Sequence, residues 1–209
     1  MTTQLSPAAE ALIVTFEVGS KSEYNSHPTW SGGASGVTIG IGCDLGYWGP
    51  VQVGTVWGPY LSAGVVKRLQ QVAGIKGASA RPAAQALADI VVPWEAACAV
   101  FDATDMPDAI TQTRAAFPGV ADLPADCFGA LASVVFNRGS QITSSDPAQA
   151  LRRIEMAQIR DAIAEARARD VPAYLRAMKR LWPAGSGEDG LRTRRDAEAA
   201  LFERGLAAS

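Results

Sequence analysis

Histidine is nearly absent from this chain of 209 residues: His27, in the turn-like segment "NSHPTW", is the only one. A metal site built on histidines is thereby excluded. A Ser-His-Asp or Cys-His triad would have to use His27, which reads as a surface loop residue. Cysteine is scarce as well. Cys43, Cys98 and Cys127 form no CxxC and match no zinc-site spacing. An odd count supplies no disulfide framework, so free buried thiols are expected. Long apolar runs are missing, and no segment reaches transmembrane length. The start, "MTTQLSPAAEALIVTFEVG", has no basic leader before its short apolar stretch. Neither a signal peptide nor membrane insertion is therefore expected. Internal repeats and low-complexity segments are absent too.

What is present describes a globular chain. Hydrophobic residues make up 48% and charged residues 19%, which excludes a disordered polymer. A net charge of −2 argues against a surface that grips nucleic acid. The charge is uneven: residues 1–137 carry a net −5, and residues 138–209 a net +3 that is nearly all arginine. That bias suits approach to an anionic polymer, and solvated helix faces explain it equally well.

Helical signals dominate. Ser6 is placed to cap a first helix, Pro7 suits its first turn, and Ala9, Leu12, Ile13 and Phe16 keep helical spacing up to Gly19. Glu17 falls in the last turn, where the helix dipole disfavours a carboxylate. It is either a tolerated surface residue or a carboxyl group held at the edge of the core for chemistry. From Gly19 to Gly58 the composition shifts to Gly, Ser, Trp and Tyr, which predicts a small twisted antiparallel sheet with long turns. Helices are expected over 60–76, 82–91, from Pro93 through 117, over 125–137, 146–155, 156–169 and 171–182, and from Leu191 to the C-terminal region. The segment from Ala125 to Asn137, ended by Gly139, is apolar nearly all round and should be the central buried helix.

The stretch "SGVTIGIGCDLGY", Ser35 to Tyr47, is the most informative. Glycine packs nothing and loses the most entropy on ordering, so Gly36, Gly40 and Gly42 between Val37, Ile39 and Ile41 mark a tightly turned strand whose backbone comes close to something. An ordinary hairpin strand with bulges is the competing reading. The stretch places Thr38 and Asp44 six residues apart.

Four features occur in order: a carboxylate ending the first helix, the "GVTIGIGCDLG" strand, the "ALASVVFNRGS" helix and the C-terminal "GLRTRRDAEAALF" helix. Together, from about Leu12 to Phe202, they resemble the phage-type lysozyme (muramidase) family, and its pesticin-like branch in particular. The resemblance implies an α+β, lysozyme-like fold with a mostly helical body, a small antiparallel β lobe and a cleft between them. It implies one catalytic domain over 1–209, with the β lobe about 19–58 and the helical lobe about 5–18 and 59–209. It also implies an inverting glycosidase acting on peptidoglycan as a monomer, without cofactor or metal.

Matched residue by residue, the resemblance points to Glu17, Thr38 and Asp44 as the catalytic set, with Glu23 as the fallback carboxylate. Glycosidic cleavage needs an acid for the leaving oxygen and a carboxylate that activates water or attacks the sugar. Glu17, expected to be buried beside Phe16, is assigned the first role. Asp44 is assigned the second, with the Thr38 hydroxyl hydrogen-bonded to Asp44 and to the water. Asn137 either binds an acetamido group or caps its helix. Of Arg192, Arg194 and Arg195, one is implied to pair with the acid, and Arg192 and Arg195 are candidate substrate contacts. Tyr24, Trp30, Tyr47 and Trp48 either stack on sugars or pack within the small lobe. The competing functions are a chitinase- or chitosanase-like glycosidase, a lytic transglycosylase, and a non-catalytic wall-binding phage component. Action in the periplasm or cell wall implies release through a holin, or injection opposed by an immunity protein.

Overall fold

The computed structural model describes residues 5–19 and 21–208. Met1–Gln4, the opening of the segment read as leaderless, lie outside the described residues, as do Ser20 and Ser209. Helix α1 (Pro7–Val18) starts as the sequence predicts: the Ser6 hydroxyl accepts from the Ala9 N–H at 3.2 Å, and Ala9 and Ile13 are buried. A three-stranded antiparallel sheet follows, β1 (Thr29–Trp30), β2 (Val37–Ile39) and β3 (Cys43–Asp44), in that spatial order. The rest is helical: α2 (Pro50–Trp57), α3 (Ala63–Val72), α4 (Ala80–Gln85), α5 (Trp94–Ala116), α6 (Ala125–Arg138), α7 (Pro147–Leu151), α8 (Ile154–Ala164), α9 (Val171–Ala177) and α10 (Asp189–Ala207). A mostly helical chain with one small, open antiparallel sheet is the α+β architecture expected. No helix among the described residues is long and apolar enough to cross a membrane.

The chain divides into two compact units. Unit 1 runs to Phe16 and resumes at Asp108, and unit 2 is Glu17–Pro107. The sheet-bearing unit thus continues well past residue 58, where the β lobe was expected to end. The reason is packing. Helix α4 lies on β1 and β2, and α2 on α3, so these helices share a core with the sheet. Helix α2 itself corrects the expectation of sheet up to Gly58. Val53 and Trp57 are its buried residues, and Pro50 occupies its first turn. The core of unit 2 collects Ile39, Leu45, Val53, Trp57 and Leu69, all but inaccessible to water.

In unit 1 the sequence reading holds closely. Cys127 through Val135 of α6 are all buried, which makes it the central helix of that unit. Helix α10 packs along α6 and α9, and α9 packs on α8. The Cys127 thiol donates to the Phe202 carbonyl at 3.2 Å, tying α6 to α10. All three cysteines are free. Cys43 and Cys127 are buried as expected, whereas Cys98 is only half-buried.

Candidate active site

The glycine-rich stretch is a hairpin of two short strands. Gly40 and Gly42, at φ +59° and +72°, make its turn in backbone conformations that side chains disfavour. The register sets Thr38 directly opposite Asp44, and Ile39 opposite Cys43. Directly opposed residues project to one face of a sheet. Val37, Ile39 and Cys43 are buried, while Thr38 and Asp44 stay half-buried on the other side. On the neighbouring strand Thr29 pairs with Thr38, so Thr29, Thr38 and Asp44 form one polar row across the sheet.

Asp44 is held by backbone. The Gly36 N–H donates to both its oxygens, at 2.9 Å to Oδ1 and 3.1 Å to Oδ2, and the Gly46 N–H donates to Oδ1 at 2.8 Å. This geometry requires glycine at both donors. A Cβ on Gly36 would lie 2.4 Å from Gly46 Cα and 2.6 Å from Asp44 Oδ1. The close approach inferred from the glycines is therefore, in this chain, an approach of backbone to backbone around a carboxylate. It also corrects the expected Thr38–Asp44 hydrogen bond: the carboxylate takes amide donors, and the Thr38 hydroxyl has no partner among the described residues. Oδ2 keeps an acceptor position.

Glu17 lies in the last turn of α1 and begins unit 2, the unit that also holds Thr38 and Asp44. It is exposed, so the burial expected for it beside Phe16 is not there. The helix turns Phe16 toward its own unit, where Arg194 stands 5.6 Å over the ring. Glu23 is exposed too, with its carboxylate folded back against Gly19.

The aromatic candidates divide. Tyr24 donates its hydroxyl to the Val92 carbonyl at 3.1 Å and meets Trp94 edge-on, so it packs within unit 2. Burial pushes its hydroxyl up to about 12. Trp30 donates to the Ser35 carbonyl at 3.2 Å. Tyr47 is 65% exposed, and one face of its ring is covered by the Lys76 ammonium at 3.6 Å.

The C-terminal candidates are built into unit 1. Arg192 donates to the Lys179 and Trp182 carbonyls, at 3.0 and 2.8 Å, and so fastens the start of α10 to the preceding turn. Asn137 accepts from Arg195 at 3.1 Å rather than merely capping its helix. Arg194 and Arg195 are both buried and share a residue the sequence reading passed over, Glu198, which is wholly inaccessible. Glu198 Oε1 accepts from Ser133 at 2.7 Å, Arg195 at 2.9 Å and Arg194 at 3.3 Å. Burial pushes the Glu198 carboxyl up and the Arg195 guanidinium down, against the mutual attraction of the pair. The three- and four-residue spacing from Arg195 and Arg194 to Glu198 was a visible signal for this cluster.

The fold is shared with a phage endolysin. Among solved structures, the active form of the P1 phage endolysin Lyz matches with a TM-score of 0.57, covering 97% of this chain and 86% of that chain at 18% identity. At that identity the likeness is one of fold. No protein-family model matches the chain, and no curated protein matches it.

Proposed function

We propose that this chain is a glycoside hydrolase of the bacterial cell wall: a muramidase that cleaves the β-1,4 bond between N-acetylmuramic acid and N-acetylglucosamine. The observation that carries the reading is the cross-strand pair of Thr38 and Asp44, in a fold shared with an endolysin. A carboxylate fixed by two amides and a neighbouring hydroxyl without a partner among the described residues are the groups that hold and deprotonate one water molecule. Glu17 protonates the leaving oxygen. Because Glu17 is exposed in the chain alone, the desolvation that favours an acid must come from the bound glycan. Attack by water held at Asp44 inverts the anomeric carbon. The order of Thr38 before Asp44 supports the pesticin-like branch. This reading puts the action in the periplasm or wall, on glycan strands, after holin release or after injection opposed by an immunity protein.

A second reading is favoured by the clamp on Asp44. If the carboxylate serves only to hold the hairpin, Glu17 is left as the one catalytic carboxylate, which suits a lytic transglycosylase. Mass analysis of fragments from purified peptidoglycan separates the two. Reducing muropeptides support the hydrolase, and 1,6-anhydro ends replace it with the transglycosylase.

A further inference from the structure

Unit 1 contains a pocket of about 280 Å³ at the C-terminal end of α6, closed by α7, the turn into α8, and Trp182. Arg138, Arg152 and Arg153 line it together with Asn137 and Gln149. We propose that this pocket is a binding site for a phosphate group.

The first observation is unbalanced charge. Most other cations of the unit are matched, among them Arg160 with Asp161, Arg176 with Glu203, Lys179 with Asp196, Arg180 with Glu155 and Arg204 with Asp126. None of Arg138, Arg152 and Arg153 has an ion pair among the described residues. Glu155, the acid whose charge pulls on Arg138, is taken by Arg180. Three guanidinium charges therefore face one pocket without a counter-charge. Proteins seldom keep such a cluster unless an anion fills it.

The second observation is that two of the three are fixed in place without being neutralised. Arg138 donates to the Arg152 carbonyl, and Arg153 donates to the Arg138 carbonyl at 2.7 Å. The Arg138 guanidinium also stands 5.4 Å over the Trp182 ring. Its Nε is buried with no partner among the described residues. Burial, and then the charges of Arg195, Arg153 and Arg152, push Arg138 down to about 10. The Arg152 side chain is exposed at the rim and makes no hydrogen bond or ion pair among the described residues. Asn137 turns its carbonyl to Arg195, which leaves its amide N–H groups as donors.

The third step is the choice of anion. Guanidinium forks match the oxygens of carboxylate and phosphate alike. A carboxylate would leave two of the three charges unbalanced, whereas a phosphate carries up to two charges and oxygens enough for several forks. The same group is found free and on phosphate-bearing polymers, and the pocket chemistry is common to both.

The test is titration of the full chain, in phosphate-free buffer at constant ionic strength, with inorganic phosphate, acetate and a glycerol phosphate oligomer. Calorimetry gives the affinities and does not depend on whether the protein digests wall. Saturable phosphate binding is expected, stronger than acetate binding and weakened roughly 10- to 100-fold by Arg152→Gln. The Arg152 side chain makes no described bond and its backbone bonds survive the substitution, so this variant should melt with the wild type. Oligomer binding well above that of inorganic phosphate assigns the site to a polymer, and equal binding assigns it to the free ion; both keep the phosphate site. Absent binding, acetate binding as tight as phosphate, or a folded Arg152→Gln protein with wild-type affinity would overturn the proposal.

Discussion

Asp44 holds the hairpin and is proposed to serve the chemistry, and two substitutions separate those roles. Asp44→Ala removes the acceptor for the Gly36 and Gly46 N–H groups, bound at 2.9 and 2.8 Å. A hydrogen bond to a charged acceptor contributes about 1.5–3 kcal/mol, and the half-buried setting puts the two together at about 2–4 kcal/mol. At about 1.4 kcal/mol per decade, exchange of these two amides should accelerate roughly 30- to 1000-fold. Asp44→Asn keeps an Oδ1 acceptor for both donors and loses only the 3.1 Å contact to Oδ2. Its structural cost should be about 1 kcal/mol or less. Loss of a general base, however, lowers turnover about 10²- to 10⁴-fold. The Asn variant is thus expected to keep slow exchange at Gly36 and Gly46 and to lose wall digestion. Wild-type turnover in a folded Asn variant would remove Asp44 from the chemistry. Unchanged amide exchange in the Ala variant would refute the clamp itself.

Two further outcomes follow from the buried groups. Glu198→Ala leaves Arg194 and Arg195 buried without their carboxylate, so denaturant unfolding should show a loss of about 3–5 kcal/mol; a loss under 1 kcal/mol would contradict the network. Burial pushes the Cys43 thiol up to about 12 and the Cys127 thiol up to about 11, so at pH 8 a thiol reagent should modify half-buried Cys98 first and the other two only on unfolding. Prompt labelling of Cys43 or Cys127 in the native protein would contradict that packing.

The elements legible in the sequence are those whose signals are local. Ser6, Pro7 and Gly19 bound α1 because caps act within one turn. The unbroken apolar run of α6 announces a helix buried on every side. Helix α2 was not legible. In "PVQVGTVW" the β-branched residues alternate as in a strand, and only packing on α3, which buries Val53 and Trp57, decides for helix; Pro50 was the one local hint. The site divides along the same line. Thr38 and Asp44 were legible as two polar residues on one glycine-rich stretch, and the hairpin register sets them on one face. The clamp on Asp44 did not show, because it depends on Gly36 and Gly46 meeting in space. Ser133 and Glu198 lie 65 residues apart, so only the arginine half of their cluster was visible in the chain.

The most direct test of the muramidase reading is digestion of purified Gram-negative peptidoglycan by the wild type and by Glu17→Gln, with mass analysis of the soluble fragments. Reducing muropeptides are expected from the wild type, with at least about 100-fold fewer from a variant of unchanged melting temperature. A folded wild type that releases no fragments, or a variant that releases as many as the wild type, would contradict it.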